Sequence, residues 1–236
     1  MNVALGIMCK APHPGRTKTR LATFLGPERA AHLSACFLKD VADAVLAVPD
    51  ALERQGYGVY APAGSEAELA EILPPAFRLL LQEGADFGLV LGTAVQRLLA
   101  EAGHDCVVLI NSDSPTLPAS LLTTAIAALR RPGDRVVLGP AIDGGYTLIG
   151  LKRDHPELFV DIPWSTHDVL RLTLERAEKI GLAVEMLPLW YDIDDLETLR
   201  ILQAEIAGIP PAFASSGISG GPATATAMML AQWPKV

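Results

Sequence analysis

Positive charge, cysteine and long apolar runs are all scarce in this chain, and each shortage excludes something. The 19 Lys and Arg are outnumbered by 27 Asp and Glu, for a net charge of −8. A general polyanion binder is thereby excluded, and no nucleic-acid partner is expected. Cys9, Cys36 and Cys106 are the three cysteines. All lie in apolar contexts without metal-ligand spacing, so they read as buried reduced thiols, consistent with a cytoplasmic location. No apolar run is long enough to span a bilayer. The N-terminus enters a strand-like run, Val3–Met8, with no basic region before it, so an export signal is not expected. The five histidines show no paired metal spacing. The Walker and Gly-x-Gly-x-x-Gly phosphate turns and the hydrolase nucleophile elbow are missing too, and there is no internal repeat.

What is present is an alternation of strand-like and helix-like segments, which argues for an α/β fold: three layers, with helices on both faces of a mostly parallel mixed sheet. With 236 residues, half of them hydrophobic, the chain suits one domain, or one domain plus a tail. Strands are expected over Val3–Met8, Tyr57–Ala61, Phe77–Leu81, a segment ending at Asp113, Arg135–Gly139, a stretch before Gly150, and Ala183–Leu189. The strand before Gly150 follows its predecessor without a crossover helix, so it should run antiparallel to its neighbours. A long helix opens at Pro27, with Leu33, Phe37, Val41, Val45 and Val48 on one stripe. Ser65 to Glu68 has the form of a capping box, and Ser165 or Thr166 reads as the cap of a helix ending near Gly181. The domain is placed at residues 1–207. Residues 208–236, rich at first in Pro, Ser and Gly, read as a linker and tail. Within them Ala223–Leu230 reads as a short helix packing on the domain or on a partner, with a homodimer considered.

Three segments carry chemistry. Lys10, His13, Arg16, Lys18 and Arg20 crowd the loop after the first strand, with Gly15 allowing close backbone approach. A basic loop on an acidic protein suits a small anionic ligand, and a guanidinium suits bidentate contact with a diphosphate. The apolar run Cys106–Ile110 stops at Asn111-Ser-Asp-Ser-Pro-Thr-Leu-Pro118, placing Asp113 at the carboxyl end of a buried strand, where α/β sheets bind ligands. Asp192 and Asp194 end a later strand and should share that edge. Together the acids suit Mg2+ or Mn2+, hard cations that take oxygen ligands. Metal-assisted transfer from a nucleotide is the leading expectation. Structural alternatives are an Asx-turn for Asp113 and a helix cap for Asp194, a job for which Asp195 competes. Asp143-Gly144-Gly145-Tyr146 is a tight turn, or a place where a flat ligand fits against glycine. Trp164 either stacks on a sugar face or covers the core. Asp143 and Asp168 are the candidates for a general base.

In order along the chain, Pro14–Leu21, Asn111–Pro118, Gly139–Tyr146, Pro163–Thr166 and Asp192–Asp195 resemble the DUF2064 family. That family is described as GT-A-like glycosyltransferases, with some members linked to arsenosugar biosynthesis. The resemblance covers about residues 1–207. It implies the nucleotide-diphospho-sugar transferase fold, shared with guanylyltransferases of molybdenum-cofactor and deazaflavin-cofactor synthesis. By that likeness Lys18 and Arg20 touch phosphates, Asp113 binds metal, and Asp194 is a further ligand or orients one. The chain departs from the glycosyltransferase Asp-x-Asp by placing Asn111 first. After Asp86-Phe-Gly88 it continues Leu-Val-Leu91, where a charged residue is expected.

The expected function is a metal-dependent glycosyltransferase. Lys10, Gly15, Arg16, Lys18 and Arg20 would bind the nucleotide phosphates, and Asp113, Asp192 and Asp194 the metal. Asp143 is the candidate catalytic residue; Gly144, Gly145, Tyr146 and Trp164 would border the substrate. The partners are a nucleotide sugar or nucleotide and a small-molecule acceptor, with no membrane span. The alternatives are a nucleotidyltransferase releasing pyrophosphate and a non-catalytic nucleotide-binding protein.

Overall fold

Six of the seven strands run in one direction, and the seventh is the one that no crossover helix precedes. The structure, a computed structural model, describes residues 1–233. Its strands are β1 (Val3–Lys10), β2 (Arg54–Ala61), β3 (Arg78–Leu81), β4 (Cys106–Asn111), β5 (Arg135–Pro140), β6 (Tyr146–Leu151) and β7 (Ala183–Met186). They form one sheet in the order β3-β2-β1-β4-β6-β5-β7. β6 pairs antiparallel with both β4 and β5, and every other pairing is parallel. The loops after β1, β4 and β7 and the β5–β6 turn therefore all open on one edge of the sheet. From β1 the chain goes to β2 on one side, while β4 lies on the other, so a switch-point crevice opens between them.

Helices α1 (Thr19–Leu25), α2 (Pro27–Leu46), α3 (Glu66–Ile72), α4 (Phe87–Gln96), α5 (Ala119–Arg130), α6 (Val169–Lys179), α7 (Leu196–Ile206) and α8 (Thr224–Leu230) complete the fold. The two-residue period of the strands divides the core. Val3, Leu5 and Ile7 of β1 and Val108 and Ile110 of β4 pack with Phe37 and Val41 of α2, Ile126 of α5 and Leu202 of α7. Ala4, Val107 and Leu109 turn the other way, toward Leu91, Val95 and Leu98, with Ala177 of α6. The result is a three-layer α/β/α sandwich. All three cysteines are free and buried. Among the described residues no helix is long and apolar enough to cross a membrane.

Three local expectations need correction. Ser65 makes no side-chain cap. Its hydroxyl donates to the Pro62 carbonyl at 2.6 Å, and Glu68 lies 3.5 Å from the His13 ring nitrogen, away from the start of α3. Neither Ser165 nor Thr166 is the cap of α6, which opens after Asp168. β7 stops at Met186, short of the expected Leu189: Leu187 still donates to the Leu138 carbonyl at 2.8 Å, but β5 is irregular at Gly139 and Pro140, and contact resumes only at Trp190, which donates to the Pro140 carbonyl at 3.0 Å. α1 was not expected at all: it is short and buries only Leu21.

Among the described residues beyond Gly208, Phe213 and α8 pack on the core. Phe213 sits edge-on to Tyr191 and Trp190, with centroids 5.4 and 6.4 Å away. Met229 of α8 joins the core beside Cys36. The Asp40 carboxylate on α2 accepts the Ala225 and Thr226 backbone N–H groups at 2.8 and 2.9 Å, capping α8 from outside. Burial raises this carboxyl above the usual range. Asp40→Ala should cost about 1–2 kcal/mol, the worth of a lost cap with its donors left unpaired. Denaturant unfolding should show that loss, and limited proteolysis should cut faster after Gly208. An unchanged cleavage rate would mean that apolar packing alone holds α8.

Candidate active site at the carboxyl edge

The site begins with Lys18. The β1 loop turns through Gly15 at φ 75° and returns through Lys18 at φ 48°, a left-handed conformation unusual for a side-chain-bearing residue. That turn drives the lysine stem inward, leaving the side chain only 5% exposed. Its Nζ lies 2.7 Å from Asp194 Oδ1 and 3.0 Å from Asp113 Oδ2. Burial works against the ammonium charge, but Asp113 and Asp194 outweigh it and hold the lysine above its ordinary range.

Backbone pairing fixes the two acids. The Ile193 N–H donates to the Asp113 carbonyl at 2.9 Å, stitching the loop after β4 to the segment after β7. Asp195 takes the cap of α7: its Oδ1 accepts the Thr198 N–H at 2.9 Å, and the Thr198 hydroxyl accepts the Asp195 N–H at 3.2 Å. Asp194 is left free for Lys18. The Asx-turn alternative for Asp113 finds little support, since its side chain has only a long 3.4 Å contact from the Ser112 hydroxyl besides Lys18.

Two clefts adjoin at Asp113 and Asp194. One, of about 590 Å³, is bordered by Lys10, Arg16, Lys18 and Arg20 together with Asp113 and Asp194. The other, of about 310 Å³, is bordered by Asp113, Asp143, Asp192, Asp194, Tyr146 and Trp164. Both sizes suit small-molecule ligands. Lys10, Arg16 and Arg20 are exposed in the first cleft, and Gln82 closes it by donating to the Cys9 and Val59 carbonyls at 3.1 and 2.8 Å. Cys9 also borders it, but burial and then Asp113 push its thiol up to about 12, so it stays protonated.

Gly15 and Gly144 border neither cleft. Gly15 only shapes the turn. Gly144 stands at φ 90° with its back to the α6 entry, where a Cβ would lie 2.3 Å from the His167 carbonyl oxygen. It is the close approach that sets the direction of the Asp143 turn. Asp143 is exposed at the rim, where its Oδ1 accepts the Gly145 N–H at 2.9 Å. Asp168 borders neither cleft and pairs with Arg171 at 2.8 Å. Phe87, which motif reading passed over, packs edge-to-face on Trp164 with centroids 5.2 Å apart, and Tyr146 meets the same indole at 6.4 Å. Its signal was an aromatic residue directly after a helix-capping Asp86.

Asp192 is the most perturbed acid of the group. Burial, then Asp143 and Asp194, push its carboxyl up to about 7, against the pull of Lys18. The donors are carboxylate oxygens under mutual repulsion, and a hard divalent cation would relieve that strain. The acids thus fit Mg2+ or Mn2+ in chemistry. Yet no three metal-ligating side chains are already gathered among the described residues, and the Lys18 ammonium lies between Asp113 and Asp194. Because the folded pKa of Asp192 lies above the unfolded value of about 3.9, its protonated form favours folding. That contribution is complete below about pH 4 and is lost as pH rises through about 7. Metal-free protein should therefore unfold at progressively lower denaturant between pH 5 and 8, and Asp192→Asn should flatten the slope. The same slope in both proteins would assign it elsewhere.

The family profile described as "Uncharacterized protein conserved in bacteria (DUF2064)" matches residues 40–166. The chain belongs to the DUF2064 family. It shares 30% identity and a TM-score of 0.82 with a crystal structure from Desulfovibrio desulfuricans G20, provisionally assigned as a nucleotide-diphospho-sugar transferase. That match covers 98% of this chain and 95% of the other. A 4-diphosphocytidyl-2C-methyl-D-erythritol synthase from Anaerococcus prevotii shares the fold at 14% identity and a TM-score of 0.57, over 87% of this chain and 96% of its own. Glucosyl-3-phosphoglycerate synthase of Mycobacterium tuberculosis, in complex with Mn2+, UDP and glucosyl-3-phosphoglycerate, aligns at 14% identity and a TM-score of 0.51, over 89% and 81%. No curated protein matches the DUF2064 chain.

Proposed function

We propose that this DUF2064 protein is a metal-dependent glycosyltransferase that takes its sugar from a nucleotide diphosphate donor. The observation that carries the proposal is the pair of adjoining clefts, one with the basic loop and one with Asp143 and Asp192, which share Asp113, Asp194, Phe87 and Trp164. A diphosphate belongs in the basic cleft, where Arg16, Lys18 and Arg20 bind its oxygens and Lys10 adds charge at the rim. Sugar and acceptor belong in the second cleft, against Trp164, Tyr146 and Gly145. Asp143, exposed there, is the residue proposed to take the proton from the acceptor hydroxyl at its free carboxylate oxygen. Asp113 and Asp194, with Asp192, would hold Mg2+ or Mn2+, which supplies charge neutralisation for the leaving diphosphate. We assign the activity to residues 1–207 and a reducing cytoplasm as its setting.

Nucleotidyl transfer to a phosphorylated acceptor is the second reading, since a structure named as a cytidylyltransferase has this fold. Melting temperature against nucleotides and nucleotide sugars, with and without Mn2+, should first identify the donor. Ligand at a hundredfold over its Kd adds about 2.7 kcal/mol of stability. Product analysis then decides: nucleoside diphosphate release supports the proposal, and pyrophosphate release from a triphosphate replaces it with the second reading.

A further inference from the structure

A third cleft, of about 630 Å³, lies between α4 and the segment Pro156–Trp164 that follows β6, and Trp164 borders it as it borders the other two. Gly88, Gly92 and Gln96 stand four residues apart and so share one face of α4. At Gly88 the segment presses on the helix: a Cβ there would lie 2.4 Å from the Phe159 carbonyl oxygen and 3.0 Å from the Trp164 indole nitrogen. One turn on, a Cβ at Gly92 would meet nothing nearer than a Phe159 ring carbon at 3.5 Å. Helix and segment therefore touch at the first glycine, and the missing side chain at the second leaves the cleft open. Phe159 and Ile162 line it as buried residues, Leu89 and Val160 as exposed ones. Phe87, exposed and bordering both substrate clefts, packs edge-on to Trp164, so apolar surface continues from the substrate site into the third cleft. Large apolar side chains left open beside a substrate site mark surface that a ligand covers. Among the described residues no lysine or arginine borders this cleft, so it is no place for the diphosphate of the donor. Its carboxylates do not oppose an uncharged group: Asp86 caps α4 by accepting the Leu89 N–H at 2.9 Å, and Asp154 and Asp161 are exposed to water.

We infer that the third cleft receives an apolar group carried by the acceptor, an alkyl chain or aromatic ring attached to the hydroxyl-bearing part that reacts beside Asp143. Trp164 is the side chain over which the two parts join. This inference rests on the glycosyl-transfer reading. In that reaction the acceptor oxygen forms the new bond to the donor's anomeric carbon, the bond from that carbon to the diphosphate oxygen breaks, and the hydroxyl proton passes to Asp143.

The test uses the full chain, Mn2+ and the donor found by melting, with two probes that differ only in the apolar group: methyl glucoside, and octyl glucoside below its micelle-forming concentration. Calorimetric titration should show octyl glucoside binding about tenfold or more tightly than methyl glucoside. Nucleoside diphosphate release should favour it in kcat/KM by a similar factor. Gly92→Leu, which fills the cleft, should abolish both advantages, with the melting shift given by the donor as the control for folding. Leu89→Asp is the second variant. Its side chain is exposed in the first turn of α4, where a carboxylate suits the helix, and it should reduce both advantages by placing a charge at the cleft. Equal binding of the two glucosides, or an octyl advantage that survives both variants, overturns the inference. So does transfer to neither glucoside, or octyl glucoside that binds through Gly92 yet slows nucleoside diphosphate release. A fall in mass in solution with Leu89→Asp would assign the apolar rim to a second copy of the chain and overturn it as well. Pyrophosphate as the product would instead defeat the glycosyl-transfer reading itself.

Discussion

Replacing Lys18 by methionine should let the protein bind Mn2+ in the absence of nucleotide at least tenfold more tightly than wild type. The Lys18 ammonium lies 2.7 and 3.0 Å from the two carboxylates that a cation would need. Unit charges about 4 Å apart interact by roughly 4 kcal/mol at an effective dielectric of about 20. A third of that figure is already a factor of about ten. Methionine keeps much of the stem's bulk and removes the charge. The same change should lower kcat/KM about a hundredfold, the loss expected if Lys18 is the phosphate donor proposed above. Stability should fall by only about 1–2 kcal/mol, less than for a fully buried pair, since the Asp113 and Asp194 side chains are 31% and 46% exposed and water reaches them. Calorimetric titration with Mn2+ checks the first effect. Unchanged affinity would mean that Lys18 and the metal do not compete for the same carboxylates.

Asp113→Asn should reduce kcat/KM by about a thousandfold, several kcal/mol of lost charge stabilisation in the transition state. The fold should tolerate the change. The Asp113 contact that ties the loop to Ile193 is made by its backbone carbonyl, which asparagine keeps. Lys18 retains Asp194. Steady-state kinetics with the stabilising donor and Mn2+ titration of the variant test this together. Activity within tenfold of wild type would remove Asp113 from the metal set and leave Asp192 and Asp194 as its members.

The local signals in the sequence were strong where one element's own chemistry decides its form. Pro27 opens α2, and the stripe from Leu33 through Val45 is buried. The missing crossover before β6 foretold its antiparallel pairing. Signals failed where a competing partner is distant in sequence. Glu68, the acid of the expected capping box, lies beside the His13 ring from the β1 loop, and Ser65 makes no cap. The box that did form uses Thr198 in place of an acidic third residue.

The candidate site divides along the same line. That Asp113 ends a buried strand, that Arg16, Lys18 and Arg20 crowd one loop, and that Gly144 sits in a turn needing positive φ all follow from the sequence, because burial period and backbone sterics act over a few residues. That Lys18 reaches Asp194, 176 residues away, does not. Nor does the insertion of β6 between β4 and β5, the packing of Phe87 on Trp164, or the meeting of two clefts at Asp113 and Asp194. Those depend on which loops the strand order brings to one edge, and strand order is settled by the burial of both sheet faces at once rather than by any single segment.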